Sequence, residues 1–199
     1  MTKDNRLTLV LLLNVGMVVA LVVVGLASHS LGVLAAGGDY LGDAAGVSLS
    51  LMALRMSRHK RGHPRATSYA ALANATFLLL VTAVVIVEGL RRLVTGTPHV
   101  EGLPVIVVAV IAALVMAICA LIIGTVESDD LNMRSVMLDT LADAVSAGGV
   151  TISGAIILAT KGSYWLDPTV ALGIAVIIAY HAMKLIRDVL VVLLKEARA

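Results

Sequence analysis

The feature that most limits what this chain can become is a succession of six apolar runs, each long enough to cross a bilayer core ~30 Å thick. They are read at about 7–27, 31–56, 69–94, 103–126, 133–160 and 169–194, with short polar breaks between them. Of the 199 residues 59% are hydrophobic, and the mean hydropathy is +1.00, well above what soluble domains show. The pattern predicts an all-α, polytopic membrane protein with six transmembrane helices, forming one domain over 1–199. The first run is too long for a signal-peptide core, and no small-residue cleavage site leading into a soluble domain follows it. It is read as a retained span. The single cysteine, Cys119, lies inside an apolar run, which excludes a disulfide framework or a thiolate metal cluster within one chain.

The breaks carry the orientation. Ser28-His29-Ser30 is so short that spans 1 and 2 must be antiparallel neighbours. Arg55 to Arg65 is the one strongly basic connection, and Glu127, Asp129 and Asp130 mark the break before span 5. With the N-terminus inside, 12 of the 15 Lys and Arg residues fall on the inner side; only Arg91, Arg92 and Lys161 fall outside. Both termini are therefore expected in the cytoplasm and the chain in the cell membrane.

Four carboxylates inside these runs demand a reason, because charge in hydrocarbon is expensive. Asp39 and Asp43 stand in span 2, Asp139 and Asp143 in span 5. The i, i+4 spacing puts each pair on one helix face. At 1.5 Å per residue, Asp43 lies ~18 Å from the outer end of its span and Asp143 roughly 15 Å from the inner end of its own. Both are near the midplane, where two antiparallel helices can bring the pairs together. Gly38, Gly42 and Gly46 around the first pair, and Ala142, Ser146 and Gly148 around the second, permit close helix approach and leave room for an ion. An ordinary small-residue interface explains the glycines but not the acids. No Lys or Arg near them in sequence offers a partner. Such a cluster binds a cation or carries protons. Four carboxylates against a divalent ion leave excess negative charge, so some take up protons when the ion leaves, and metal binding is coupled to proton release.

The remaining intramembrane polar residues are weaker signals. Asn14 in span 1 reads first as an interhelical hydrogen bonder, and second as a group that orients the carboxylates. His181 in span 6 reads as a packed histidine, with proton relay as the alternative. Asn74 reads as structural. Glu88 stands a turn before Arg91 and Arg92 and is expected to pair with them. His59 and His63 sit among Arg58, Lys60, Arg61 and Arg65, which repel cations; that loop reads as an anchor on anionic lipid heads that pairs with Glu127, Asp129 and Asp130.

Taken together the motifs resemble the cation diffusion facilitator family, especially its zinc-transporting branch. Ser30 to Leu34 leading into Asp39-Tyr40-Leu41-Gly42-Asp43 is similar to the family's metal-binding His/Asp-x-x-x-Asp of span 2. Arg65-Ala66-Thr67 with Ala71 to Ala75 resembles the opening of its third span. Asn132-Met133-Arg134 followed by Asp139 and Asp143 resembles its fifth span, and Asp167-Pro168 the start of its sixth. The resemblance implies a homodimeric metal/proton antiporter that exports divalent transition metal by alternating access, with Asp39, Asp43, Asp139 and Asp143 as a tetrahedral site. Two departures stand out. Members of the zinc branch usually open each pair with His where this chain has Asp, and the chain ends at Ala199, without the cytoplasmic domain usual after the sixth span.

The expected function is exchange of a divalent metal for protons, with zinc first and manganese, iron, cobalt or cadmium also accepted. The metal is cargo, no cofactor is expected, and the partners are the bilayer, the ions and a second copy of the chain, not nucleic acid. The chain is not expected to be an enzyme. Two rivals remain: a membrane prenyltransferase, which uses paired Asp-x-x-x-Asp motifs for magnesium diphosphate, and an accessory subunit that transports nothing.

Overall fold

Six helices follow the six apolar runs. In the computed structural model they are α1 (Lys3–Ala27), α2 (Leu31–Arg58), α3 (Pro64–Thr95), α4 (Gly102–Gly124), α5 (Asn132–Thr160) and α6 (Leu166–Arg198). The structure describes residues 3–58, 64–124 and 132–198, with side chains over 5–49, 51–52, 68–122, 143 and 145–194. The expected pairing of the basic loop with Glu127, Asp129 and Asp130 lies outside the described residues.

The all-α membrane architecture expected from the sequence is present. By length and apolarity, Asn5–Ala27, Ser68–Thr95, Gly102–Ile122 and Leu166–Leu194 are each able to cross a membrane. The acid-bearing helices read as more polar: among the described residues α5 offers only the shorter apolar stretch Val145–Thr160. The bundle is apolar outside as well as inside. Leu12, Val84, Val94, Leu121 and Ile152 are exposed, Val94 to 85%, a surface that only lipid or another apolar partner satisfies.

Packing places α2 at the centre. It touches all five other helices, α1 most extensively and α4 and α5 only slightly. α3 pairs with α6 and α4 with α5, and α1 also packs on α4. Leu21, Val33, Val105, Ile157 and Ile174 meet in one buried cluster between them. At one end α4 and α5 approach backbone to backbone: a Cβ on Gly102 would stand 2.6 Å from the Gly154 carbonyl oxygen. Only glycine fits there.

The same end of the bundle is closed by a polar network. The 28–30 connection meets the loop before α4 through the Glu101 amide, which donates to the Ser28 carbonyl at 3.2 Å. His29 takes a left-handed φ of 57° at the tight turn between α1 and α2. Ser30 caps α2 by accepting the Val33 amide at 3.1 Å. The two preceding amides are taken by Asp167, from the start of α6: Leu31 donates to its Oδ2 at 2.6 Å and Gly32 to its Oδ1 at 3.1 Å. The Ser30 hydroxyl donates to the same carboxylate at 2.5 Å. The donors at the start of α2 are thus satisfied without water, as a helix end in a membrane protein requires.

Candidate cation site

The i, i+4 acids of α2 and α5 are carried on the most central helix and on one that touches it only slightly. The slightness has a cause: a cavity of about 450 Å³ opens between α1, α2, α4 and α5. Asp39 and Asp143 both line it, with Tyr40, Ser146, Ala109 and Met116 among its other walls, and the lining is overwhelmingly apolar. One carboxylate from each pair therefore faces a shared space.

Asp43 is half-buried one turn further along α2 and is not among the lining residues. It stands four residues after Asp39 on the same face of α2. Asp139 lies on α5 a turn before Asp143, and its side chain is outside the described residues. Among the described residues, no three His, Cys, Asp or Glu side chains are gathered closely enough to hold an ion.

Tyr40 fixes this neighbourhood. Its ring is buried, and its hydroxyl donates to the Ala112 carbonyl of α4 across the bundle. The bond ties the acid-bearing stretch of α2 to the facing wall of the cavity. Tyr40 stands inside the sequence motif, yet the motif carries no hint of this role, because the acceptor is a backbone atom 72 residues away.

Among the described residues, two buried side-chain polar atoms are left without a hydrogen-bond partner, Asn14 Oδ1 and Ser146 Oγ. Asn14 is 2% exposed and does not line the cavity. His181 is half-buried on α6, its ring 5.8 Å from that of Tyr180, and it too stands away from the cavity lining. Glu88 makes the expected pairs, 3.1 Å to Arg91 Nη1 and 3.0 Å to Arg92 Nε. Arg92 reaches further than expected: its Nη1 donates to the His29 carbonyl at 2.7 Å and stands 3.9 Å from Asp167.

Asp167 is the functional-looking residue that sequence reasoning placed but did not explain. It is 1% exposed, and its whole environment is structural: one hydroxyl, two amides and a nearby guanidinium. The signal was present in outline, as an acid next to a proline at a helix start, but its partners lie about 136 residues earlier in the chain.

A carboxylate pair across an apolar cavity can strip a cation of water and replace it with oxygen ligands, or hold protons in its place. Comparisons with known proteins agree with that chemistry. Residues 7–194 match the family described as the cation efflux transmembrane domain. The zinc transporter ZitB of Yersinia pseudotuberculosis is 30% identical over 195 residues, covering 94% of this chain and 62% of the relative. The zinc transporter ZitB of Escherichia coli is 32% identical over 197 residues, with the same coverage. A cadmium, cobalt and zinc/H(+)-K(+) antiporter of Bacillus velezensis is 25% identical over 171 residues, covering 80% of this chain and 54% of the relative. The chain thus spans about three-fifths of the length of the ZitB relatives. These names describe transporters and an antiporter, none an enzyme. With its apolar helices and this match, the molecule is an integral, multi-pass protein of the cell membrane, and it belongs to the cation efflux transmembrane-domain family.

Proposed function

We propose that this chain moves a divalent transition-metal ion out of the cytoplasm in exchange for protons, at a site built from Asp39, Asp43, Asp139 and Asp143. The observation that carries the reading is that Asp39 of α2 and Asp143 of α5 line one cavity between helices that otherwise touch only slightly. Zinc is the first-choice cargo: the ZitB relatives are named for zinc, and zinc outranks manganese and iron at most mixed sites. Oxygen-only ligands weaken that preference and extend acceptance to manganese, iron, cobalt or cadmium.

Proton exchange follows from charge. Four carboxylates outweigh a divalent ion, and like charges held together take up protons when the ion departs. The name of the Bacillus velezensis relative includes H(+) exchange and supports the same reading. The charge bias of the loops supports both termini in the cytoplasm. The single six-span domain, the second copy in a homodimer and the alternation of access belong to this same proposal.

The test is zinc flux in proteoliposomes containing the purified chain, with and without an imposed pH gradient. Uphill zinc movement should require the gradient and stop when an ionophore collapses it. Uphill movement that persists without a gradient would overturn proton exchange. Absence of any metal-dependent flux from a folded, correctly inserted protein would overturn transport by this chain.

A further inference from the structure

Among the described residues, the buried hydroxyls obey one rule with one exception: each donates to an acceptor. Ser28 donates to the Val24 carbonyl at 2.6 Å, Thr82 to Leu78 at 2.7 Å and Ser153 to Val150 at 2.9 Å, while Ser30 donates to Asp167. Even the more exposed Ser48, Thr76 and Thr151 bond back to the carbonyl four residues earlier. That back-bond is the ordinary refuge of a hydroxyl inside a helix. Ser146 alone among the described buried hydroxyls has no acceptor of any kind: it is 5% exposed and its Oγ has no partner. It lines the cavity that Asp39 and Asp143 line. Its place on α5 is also particular. Ser146 follows Asp143 by three residues and Asp139 by seven, so all three share one helix face. An unpaired hydroxyl in an apolar interior costs about 1–3 kcal/mol, and that cost calls for a ligand.

We propose that Ser146 is a specificity-determining residue that supplies a fifth, neutral oxygen donor to the cation held by the aspartates; the inference rests on the carboxylate site proposed above. The hydroxyl oxygen faces the ion and its proton is donated to a carboxylate, so no charge is added to the site. The consequence concerns coordination number. Zinc is satisfied by four donors, whereas manganese and similar oxygen-seeking ions take up to six. A fifth oxygen therefore widens acceptance beyond zinc.

The test is calorimetric titration of the purified full chain with zinc and, separately, manganese, comparing wild type, Ser146→Ala, Ser146→Thr and Asp143→Asn. Alanine is the better helix former, so Ser146→Ala keeps the helix intact. It should weaken manganese binding by about tenfold, and zinc binding by less than about threefold, in line with losses at residues that tune a metal site. Ser146→Thr keeps the hydroxyl and should retain the wild-type ratio. Asp143→Asn should remove binding of both ions. An unchanged zinc-to-manganese ratio in Ser146→Ala, or a threonine variant that behaves like alanine, overturns the role of Ser146 while Asp143→Asn still reports on the carboxylates. Wild-type binding by Asp143→Asn overturns the carboxylate site, and the fifth donor falls with it.

Discussion

Two sets of aspartates within this bundle, Asp167 buried and Asp39 and Asp143 half-buried, have opposite surroundings. Asp167, at the closed end, accepts a hydroxyl and two helix amides and stands 3.9 Å from Arg92. Asp39 and Asp143, at the middle of the bundle, line a largely apolar cavity beside a hydroxyl without a partner. The first environment is complete in itself and has no need of an ion. The second is arranged around space. A carboxylate in a membrane protein is therefore not diagnostic by being there; what surrounds it decides whether it ties helix ends together or borders a cavity.

That contrast breaks most visibly at Asp167. Replacing it with Ala should cost about 3–5 kcal/mol, because a buried group with several partners is removed and the Leu31 and Gly32 amides and Arg92 lose an acceptor. Thermal unfolding in lipid nanodiscs measures this. Stability unchanged from wild type would mean that the closed end is not held by this carboxylate. Asp167→Asn should fall between the two, since it keeps the shape and loses the charge.

The opposite expectation applies to Asp143. Asp143→Asn should lower zinc flux by at least about 100-fold, as loss of a direct ligand exceeds the losses seen at residues behind one. Its melting temperature should change far less than that of Asp167→Ala, because asparagine keeps the shape of the side chain and the cavity walls around it. Flux near wild type at matched protein would erase the distinction between the two sets.

Smaller effects sharpen the comparison by testing the walls between its halves. Gly102→Ala should destabilise by about 1–3 kcal/mol, since the new methyl would stand against the Gly154 carbonyl where α4 crosses α5. Tyr40→Phe removes only the bond to Ala112 and should cost about 1 kcal/mol. A larger loss of flux than of stability in Tyr40→Phe would show that the bond positions the carboxylates as well as holding α4. Smallest of all is Glu88→Gln: its pair with Arg91 is mostly exposed and its pair with Arg92 part-buried, both within one helix, and only a slight drop in melting temperature is expected. A clear drop would extend the closed-end network from Arg92 out to Glu88.

Much of this was legible without coordinates, for reasons specific to membranes. Hydrocarbon thickness sets helix length, so six apolar runs announce six helices, and the i, i+3 and i, i+4 partners of Glu88 follow from helix geometry alone. The same geometry brought Asp39 and Asp43 onto one face. It could not separate them, and the bundle does: Asp39 lines the cavity and Asp43 does not. Asn14 and His181 were legible as oddities, yet their depth in the sequence does not tell which wall of the bundle they face, and neither lines the cavity.

The sequence by itself determined the apolar runs, their order, the placement of four acids and one Asp-Pro within them, and the family to which the chain belongs. Each of these depends on local composition or on spacing along one helix, where the physics is short-ranged. Tertiary structure alone decided that α2 touches every other helix, that Asp167 reaches back to cap it, that Tyr40 bonds α4, and that Ser146 is left unpaired beside Asp39 and Asp143. These depend on which faces of distant helices meet. Inside a bilayer the outward and inward faces are equally apolar, so hydrophobic periodicity cannot rank them; packing contacts and hydrogen-bond partners do.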